Sequence, residues 1–158
     1  MPDLRTYLDT AKRSKPEDFL EIKEKHDINL EVCALVDKLE KQRRTPLLLF
    51  SNINNLSGEP SEFPLLMNAF GSRRACAMAL GLPPEQSGLD LVLEFQRREA
   101  IREKPIIVRK KEAPVKEVIP DPNLHLLPIL THHLEDKGPY LTMTWSASDP
   151  ETGAYHSS

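Results

Sequence analysis

No apolar run in these 158 residues approaches the roughly 18 needed to cross a bilayer as a helix, so no such span is expected. The opening stretch "MPDLRTYLDTAKRSK" carries acidic residues and lacks the apolar segment of a secretory signal. A basic excess is also missing. Lys and Arg number 21 against 24 Asp and Glu, and a net charge of −3 argues against a general nucleic-acid binder. Cysteine is scarce, with only Cys33 and Cys76, each in a helical pattern among apolar neighbours. Buried free thiols are the expectation, which suits a reducing cytoplasm. Glycine is low too: six against fourteen prolines, a ratio that predicts many extended segments bounded by turns. There is no Gly-x-Ser-x-Gly elbow, Cys-x-x-Cys, His-Glu-x-x-His or phosphate-loop lysine, so no self-contained active site is visible.

The remaining composition, 39% hydrophobic and 28% charged, is that of an ordinary globular protein. The length suits one domain, or a small domain with part of a second, and allows about 70% of the unfolded surface to be buried.

Asp3 is placed to cap a first helix, with Leu4, Tyr7, Leu8 and Ala11 at helical spacing. "DFLEIKEK" reads as a short strand. Asn29 is expected to cap a second helix to about Arg43, whose inner face is Leu30, Cys33, Ala34, Val36 and Leu39. Pro46 closes it, and "LLLFSNI" follows as a strand buried on both faces. After the turn-rich "NNLSGEPSE", "FPLLMNAF" reads as a second buried strand. A helix from Ser72 to Leu80 ends at Gly81, and Pro83-Pro84 open another that runs to about Glu103. The order helix, strand, helix, strand, strand, helix, helix predicts an α/β layer domain over residues 1–103.

From Lys104 the pattern changes. Residues 104–158 carry seven prolines and no helical period. "PIIVRKKEAPVKEVI" alternates enough for strands, and "PYLTMTWSASDPETGAYHSS" reads as a hairpin around Asp149–Gly153. The second unit looks cut short a few residues into its returning strand.

Three clusters could carry chemistry. His132-His133, followed by Glu135 and Asp136, is the densest histidine group. Neighbouring strand positions face opposite ways, so a loop-ordering role is favoured over a shared metal. The basic run Arg97, Arg98, Arg102, Lys104, Arg109, Lys110 and Lys111 is interleaved with Glu94, Glu99, Glu103 and Glu112 and reads as a solvated face. At "NAFGSRRACAMALG", Gly71 permits a sharp corner, Ser72 can cap the amides of Arg74 and Ala75, and the helix end favours an anion. That anion is either an external phosphate or a carboxylate of the same protein.

This last string resembles the N-F-G-S-x-x-R-x-A-x-A-L-G-type signature of the UbiD family of decarboxylases. "LPILTHHLEDKGPYLTMTWSASDPETG" is similar to that family's L-P-x-x-x-x-H-x-x-D-x-G-x-Y-x-T stretch with its Asp-Pro-Glu-Thr-Gly turn. "APVKEV", Ala113–Val118, matches a segment between them, in the family's order. The resemblance implies the N-terminal portion of a cytoplasmic, reversible carboxy-lyase, homo-oligomeric in its full-length form, acting on an aromatic or α,β-unsaturated carboxylic acid. It implies prenylated FMN, with a divalent metal (usually Mn²⁺) and K⁺ bridging the cofactor phosphate to the protein. It also implies an α/β domain followed by the first strands of a split, FMN-binding β-barrel.

Family members are typically about three times this long, and their catalytic Glu-Arg-Glu network lies later in the chain. The chain alone is therefore expected to be inactive. Through the Asp149–Gly153 turn, the family's metal-liganding Asn falls on His156. This departure points either to altered metal use or to a surface histidine. The family places the Gly71–Arg74 signature away from its catalytic groups, so Arg73 and Arg74 read as a brace or interface, with phosphate binding second. Two other readings stay open: a non-catalytic interaction module or subunit of a split decarboxylase, and an anion- or nucleotide-binding domain using the Ser72 helix end.

Overall fold

Asp3 accepts the Thr6 amide at 2.8 Å and opens helix α1, Leu4–Arg13, whose Tyr7 and Ala11 are buried. Strand β1, Phe19–Ile22, follows, then helix α2, Glu31–Lys41, and strand β2, Leu47–Phe50. Strand β3 is Leu65–Met67, helix α3 is Arg73–Ala79 and helix α4 is Gly88–Glu99. A hairpin of β4, Ser146–Ser148, and β5, Tyr155–Ser157, lies near the end of the chain. This computed structural model describes residues 3–104, 106–118, 121–142 and 146–157.

β2 is the central strand of a mixed sheet, parallel to β1 and antiparallel to β3. Alternation along β2 divides the core. Leu48 and Phe50 pack with Val32 and Leu39 of α2, while Leu47 packs with Tyr7 and Ala11 of α1 and Ala75 and Met78 of α3. Helices thus cover both faces of the sheet, which is why "LLLF" is apolar at every position. Ile129 and Leu130 are buried as well, and Leu130 joins the α2 face of the core. Their segment is stitched to the start of α2: Thr131 donates its amide to Ile28, and its carbonyl accepts from Leu30.

The predicted order of elements over the first hundred residues is the observed one, but several details differ. Asn29 does not cap α2. Leu30 occupies that position with φ of 71°, and Asp27 instead accepts the Asn29 amide while Glu31 accepts that of Asp27. Ala34 is exposed, and the buried positions of α2 are Val32 and Leu39. β3 is half-buried, as its place at the edge of the sheet dictates. α4 starts at Gly88, several residues after the two prolines. Ser87 accepts the Asp90 amide and donates its hydroxyl to the Asp90 carboxylate, a reciprocal cap that the prolines cannot offer.

Strands expected across "PIIVRKKEAPVKEVI" are absent from its described residues, which form 3-10 turns at Lys110–Glu112 and Pro114–Lys116. Ile106 and Ile107 are 90% and 95% exposed. A strand needs a ladder partner, and no neighbouring strand pairs with this segment among the described residues. The α/β arrangement is present, and among the described residues of 104–158 the strands are β4 and β5, which pair with each other and form no barrel. Within Tyr140–Ser148, residues 140–142 are not strand, Ser146–Ser148 is, and residues 143–145 lie outside the described residues.

Candidate functional site

Two places matter most, the corner leading into α3 and the β4–β5 hairpin. At the corner, Ser72 has extended backbone and accepts the Ala75 amide at 3.0 Å. Gly81, with φ of 69°, ends the helix as predicted. Gly71 does not have positive φ, and what favours glycine there is space: a Cβ would sit 3.0 Å from Asn68 Cβ and crowd it. The left-handed residue of this turn is Asn68, with φ of 55°.

Arg74 turns away from solvent. Its Nε lies 3.0 and 2.9 Å from the two carboxylate oxygens of Asp18, which is only 7% exposed. Its Nη1 donates to Glu85 at 2.8 Å, and Ser14 donates to Asp18 at 2.9 Å. The hydrogen bonds it donates to Glu85 and Asp18 raise the guanidinium pKa further, and Arg74 in turn pulls Glu85 below the usual carboxylate range. The anion at this corner is thus internal. Arg74 ties the end of α1, the start of β1 and the loop before α4 to α3. Arg73 runs instead along α4, its Cδ beside Gly88.

The basic run is largely self-neutralised at its start. Glu94 accepts from Arg97 Nε at 2.7 Å and from Arg98 Nε at 2.6 Å, and these two arginines hold its carboxyl down to about 2. Arg98 also donates to the Leu80 carbonyl at the end of α3. The histidine pair sits in a loop, where the amides of His132 and His133 both donate to Asp136 Oδ2 at 3.0 and 2.8 Å.

The predicted turn is present. Asp149 Oδ1 accepts the amides of Glu151 and Thr152, which lower its pKa, and Gly153 takes φ of 71°. This fixes the register of β4 against β5, with Ala147 opposite His156 and a 2.8 Å hydrogen bond between the Ser146 and Ser157 hydroxyls. His156 is exposed on β5. Among the described residues no group of three His, Cys, Asp or Glu gathers where it could hold a metal ion.

A cavity of about 610 Å³ opens between the 55–63 loop and residues 118–127, lined by Phe63, Val118, Leu124 and Leu127 with Glu62 and Asp121. Its charged lining residues are both acidic. Among the described residues, no helix is long and apolar enough to cross a membrane.

The family described as 3-octaprenyl-4-hydroxybenzoate carboxy-lyase N-terminal domain matches residues 11–94, and the Rift-related domain of the same carboxy-lyase matches residues 106–158. The chain belongs to the UbiD family. Among solved structures it is similar to the vanillic acid decarboxylase of Sedimentibacter hydroxybenzoicus in open form. Identity there is 24% and the TM-score 0.77, over 96% of this chain and 32% of that one. It is also similar to the UbiD-class enzyme HmfF from Pelotomaculum thermopropionicum, in an evolved dimeric form in complex with prFMN. Here identity is 29% and the TM-score 0.63, over 98% of this chain and 34% of that one. HmfF in complex with FMN matches at 28% identity, a TM-score of 0.62, and 98% and 33% coverage. No curated protein matches the chain. The chain spans about a third of the length of the structures it matches.

The UbiD signatures were legible because they are local strings. The partners of Arg74 were not, since Asp18 lies 56 residues away in sequence with nothing in its own neighbourhood to mark it.

Proposed function

We propose that this chain is the N-terminal part of a UbiD-type reversible decarboxylase that removes CO₂ non-oxidatively from an aromatic or α,β-unsaturated carboxylic acid. The observation that carries this reading is the pair of UbiD domains in family order, on a fold shared over 98% of the chain with a UbiD-class enzyme in complex with prFMN. In such an enzyme the flavin supplies the electron sink for decarboxylation, and the protein positions the substrate and delivers the proton.

The α/β domain of residues 1–103 acts in this reading as a braced support, and residues 104–158 begin the split barrel that carries prenylated FMN. His156 is the residue proposed to meet a divalent metal such as Mn²⁺, at the position of the family's Asn and with K⁺ nearby. An imidazole nitrogen replaces an amide oxygen there and shifts preference towards softer divalent ions. The Glu-Arg-Glu network and the remainder of the cofactor site come from residues beyond these 158, in a longer chain or a second subunit, and the assembled enzyme is an oligomer in the cytoplasm.

The test is expression of the complete reading frame, with its neighbouring genes, in cells that make prenylated FMN. A coloured protein that releases CO₂ from cinnamate-, vanillate- or hydroxybenzoate-type acids is expected. The 158-residue chain alone should turn over none of them. An assembled protein that binds no flavin would overturn the enzymatic reading, and turnover by the chain alone would overturn the assignment of catalysis to other residues.

A further inference from the structure

One pair of reactive side chains plays no part in the reading above. Cys33, half-buried on α2, has its Sγ 3.6 Å from Nδ1 of His132, a residue 99 positions away. The pair borders a cavity of about 450 Å³, which Asp37, His133 and Glu135 also line. We propose that Cys33 and His132 form a binding site for a thiophilic divalent cation, Zn²⁺ being the type.

The distance is the first argument. With Zn–S near 2.3 Å and Zn–N near 2.05 Å at a tetrahedral angle, the two donor atoms of one zinc stand about 3.5 Å apart. The observed separation meets this without movement of either backbone.

The second argument is electrostatic. No lysine or arginine lines the cavity, although Asp37 is shared with Lys41 at 2.6 Å. The Asp136 carboxylate, held in place by two backbone amides, lies close enough to Cys33 to act on it. A carboxylate fixed beside the two donors favours a bound cation.

The third argument is preorganisation. The His132 ring packs on Tyr140 at 4.7 Å between centroids, and the preceding residue, Thr131, is hydrogen-bonded to Ile28 and Leu30 beside α2. The histidine donor is thus held in place before a metal arrives. Binding converts the thiol to a metal-bound thiolate and releases its proton to solvent. Nδ1 of neutral His132 is the second donor, with the imidazole proton on Nε2. Among the described residues no third ligand completes the set, so the remaining positions are open to water.

Co²⁺ is the probe. Titrated into the reduced chain, it should produce a thiolate-to-cobalt charge-transfer band that saturates at one ion per chain and is bleached by Zn²⁺. Cys33→Ser should abolish the band, and His132→Ala should weaken binding by about tenfold or more, since even outer contacts to a metal site carry that much. Cys76→Ser and His156→Ala should leave the band unchanged, which separates this site from the one proposed at His156. Without any substitution, Zn²⁺ should slow alkylation of Cys33 but not of Cys76, read peptide by peptide. Absence of the band at millimolar Co²⁺, a band that follows Cys76, or Cys33 alkylation indifferent to Zn²⁺ would overturn the proposal.

Discussion

Replacing Arg74 with leucine removes the guanidinium from Asp18 while keeping much of the side-chain volume. Asp18 is 7% exposed and then keeps only the Ser14 hydroxyl, at 2.9 Å, as a side-chain partner for its carboxylate. Stranding a buried charge costs about 3–5 kcal/mol. The Arg74 side chain is itself 24% exposed and its second partner Glu85 is 66% exposed. The outer pair adds no more than about 1 kcal/mol, and water can reach part of the gap. The loss should therefore be about 2–4 kcal/mol, or a fall in Tm of roughly 4–16 °C for a chain of this size. Asp18→Asn alone should also destabilise. The double substitution should be less damaging than the sum by about 1–3 kcal/mol, because no charge is left unpaired. Arg73→Leu, one position away and without a carboxylate partner among the described residues, should stay within about 0.5 kcal/mol of the parent. Urea unfolding at neutral pH measures all four. If Arg74→Leu matches Arg73→Leu, or if the two substitutions at the pair simply add, the brace is not what holds this corner.

Leu130→Ala should cost about 2–4 kcal/mol in the same assay, since Leu130 is 4% exposed within the α2 core; an unchanged midpoint would mean its segment does not stay docked in solution. Gly71→Val should destabilise by about 1–3 kcal/mol through contact with Asn68, with Gly71→Ala milder, and equal melting curves for all three would refute the crowding argument. Glu94 titrates near 2 in the folded state, well below the ordinary 4.5. Its link to Arg97 and Arg98 therefore stabilises fully above about pH 4.5 and fades as pH falls towards 2. Carboxyl NMR that finds Glu94 titrating at the ordinary value would show that these ion pairs do not persist. In the β4–β5 hairpin, Asp149→Ala removes the acceptor of two amides, so exchange at the Glu151 and Thr152 amides should accelerate, and unaltered exchange would contradict the cap.

What the sequence made readable was local. Helix α1 followed from a cap and four apolar positions within one stretch, the Ser72 start and Gly81 end of α3 from single residues, and the Asp149 turn from five. Errors arose where a distant contact or a competing cap decided. Leu30 is held in a left-handed conformation where its amide meets Thr131, which displaced Asn29 from the cap position. Ser87 with Asp90 outcompeted Pro83-Pro84 as the start of α4. Ile106 to Val118 has strand composition but no ladder to join among the described residues, and composition alone does not supply a partner. At the functional level the UbiD strings identified the family. The Arg74–Asp18 and Cys33–His132 meetings, 56 and 99 residues apart, exist only once the chain has folded.

The docking of Leu130 on α2 also has a consequence for synthesis. Phe50 and Leu130 share one core but leave the ribosome about 80 residues apart, which at roughly 5–20 residues per second is a delay of about 4–16 s. Throughout that interval the nascent α2 face can close against β2 but not be sealed, and Val32, Leu39 and Ile53 lack one of their neighbours. Chaperone engagement of nascent chains should therefore persist until the Ile129–Thr131 segment emerges, and codon choices that slow translation between residues 50 and 130 should lengthen the period in which this protein is prone to aggregate.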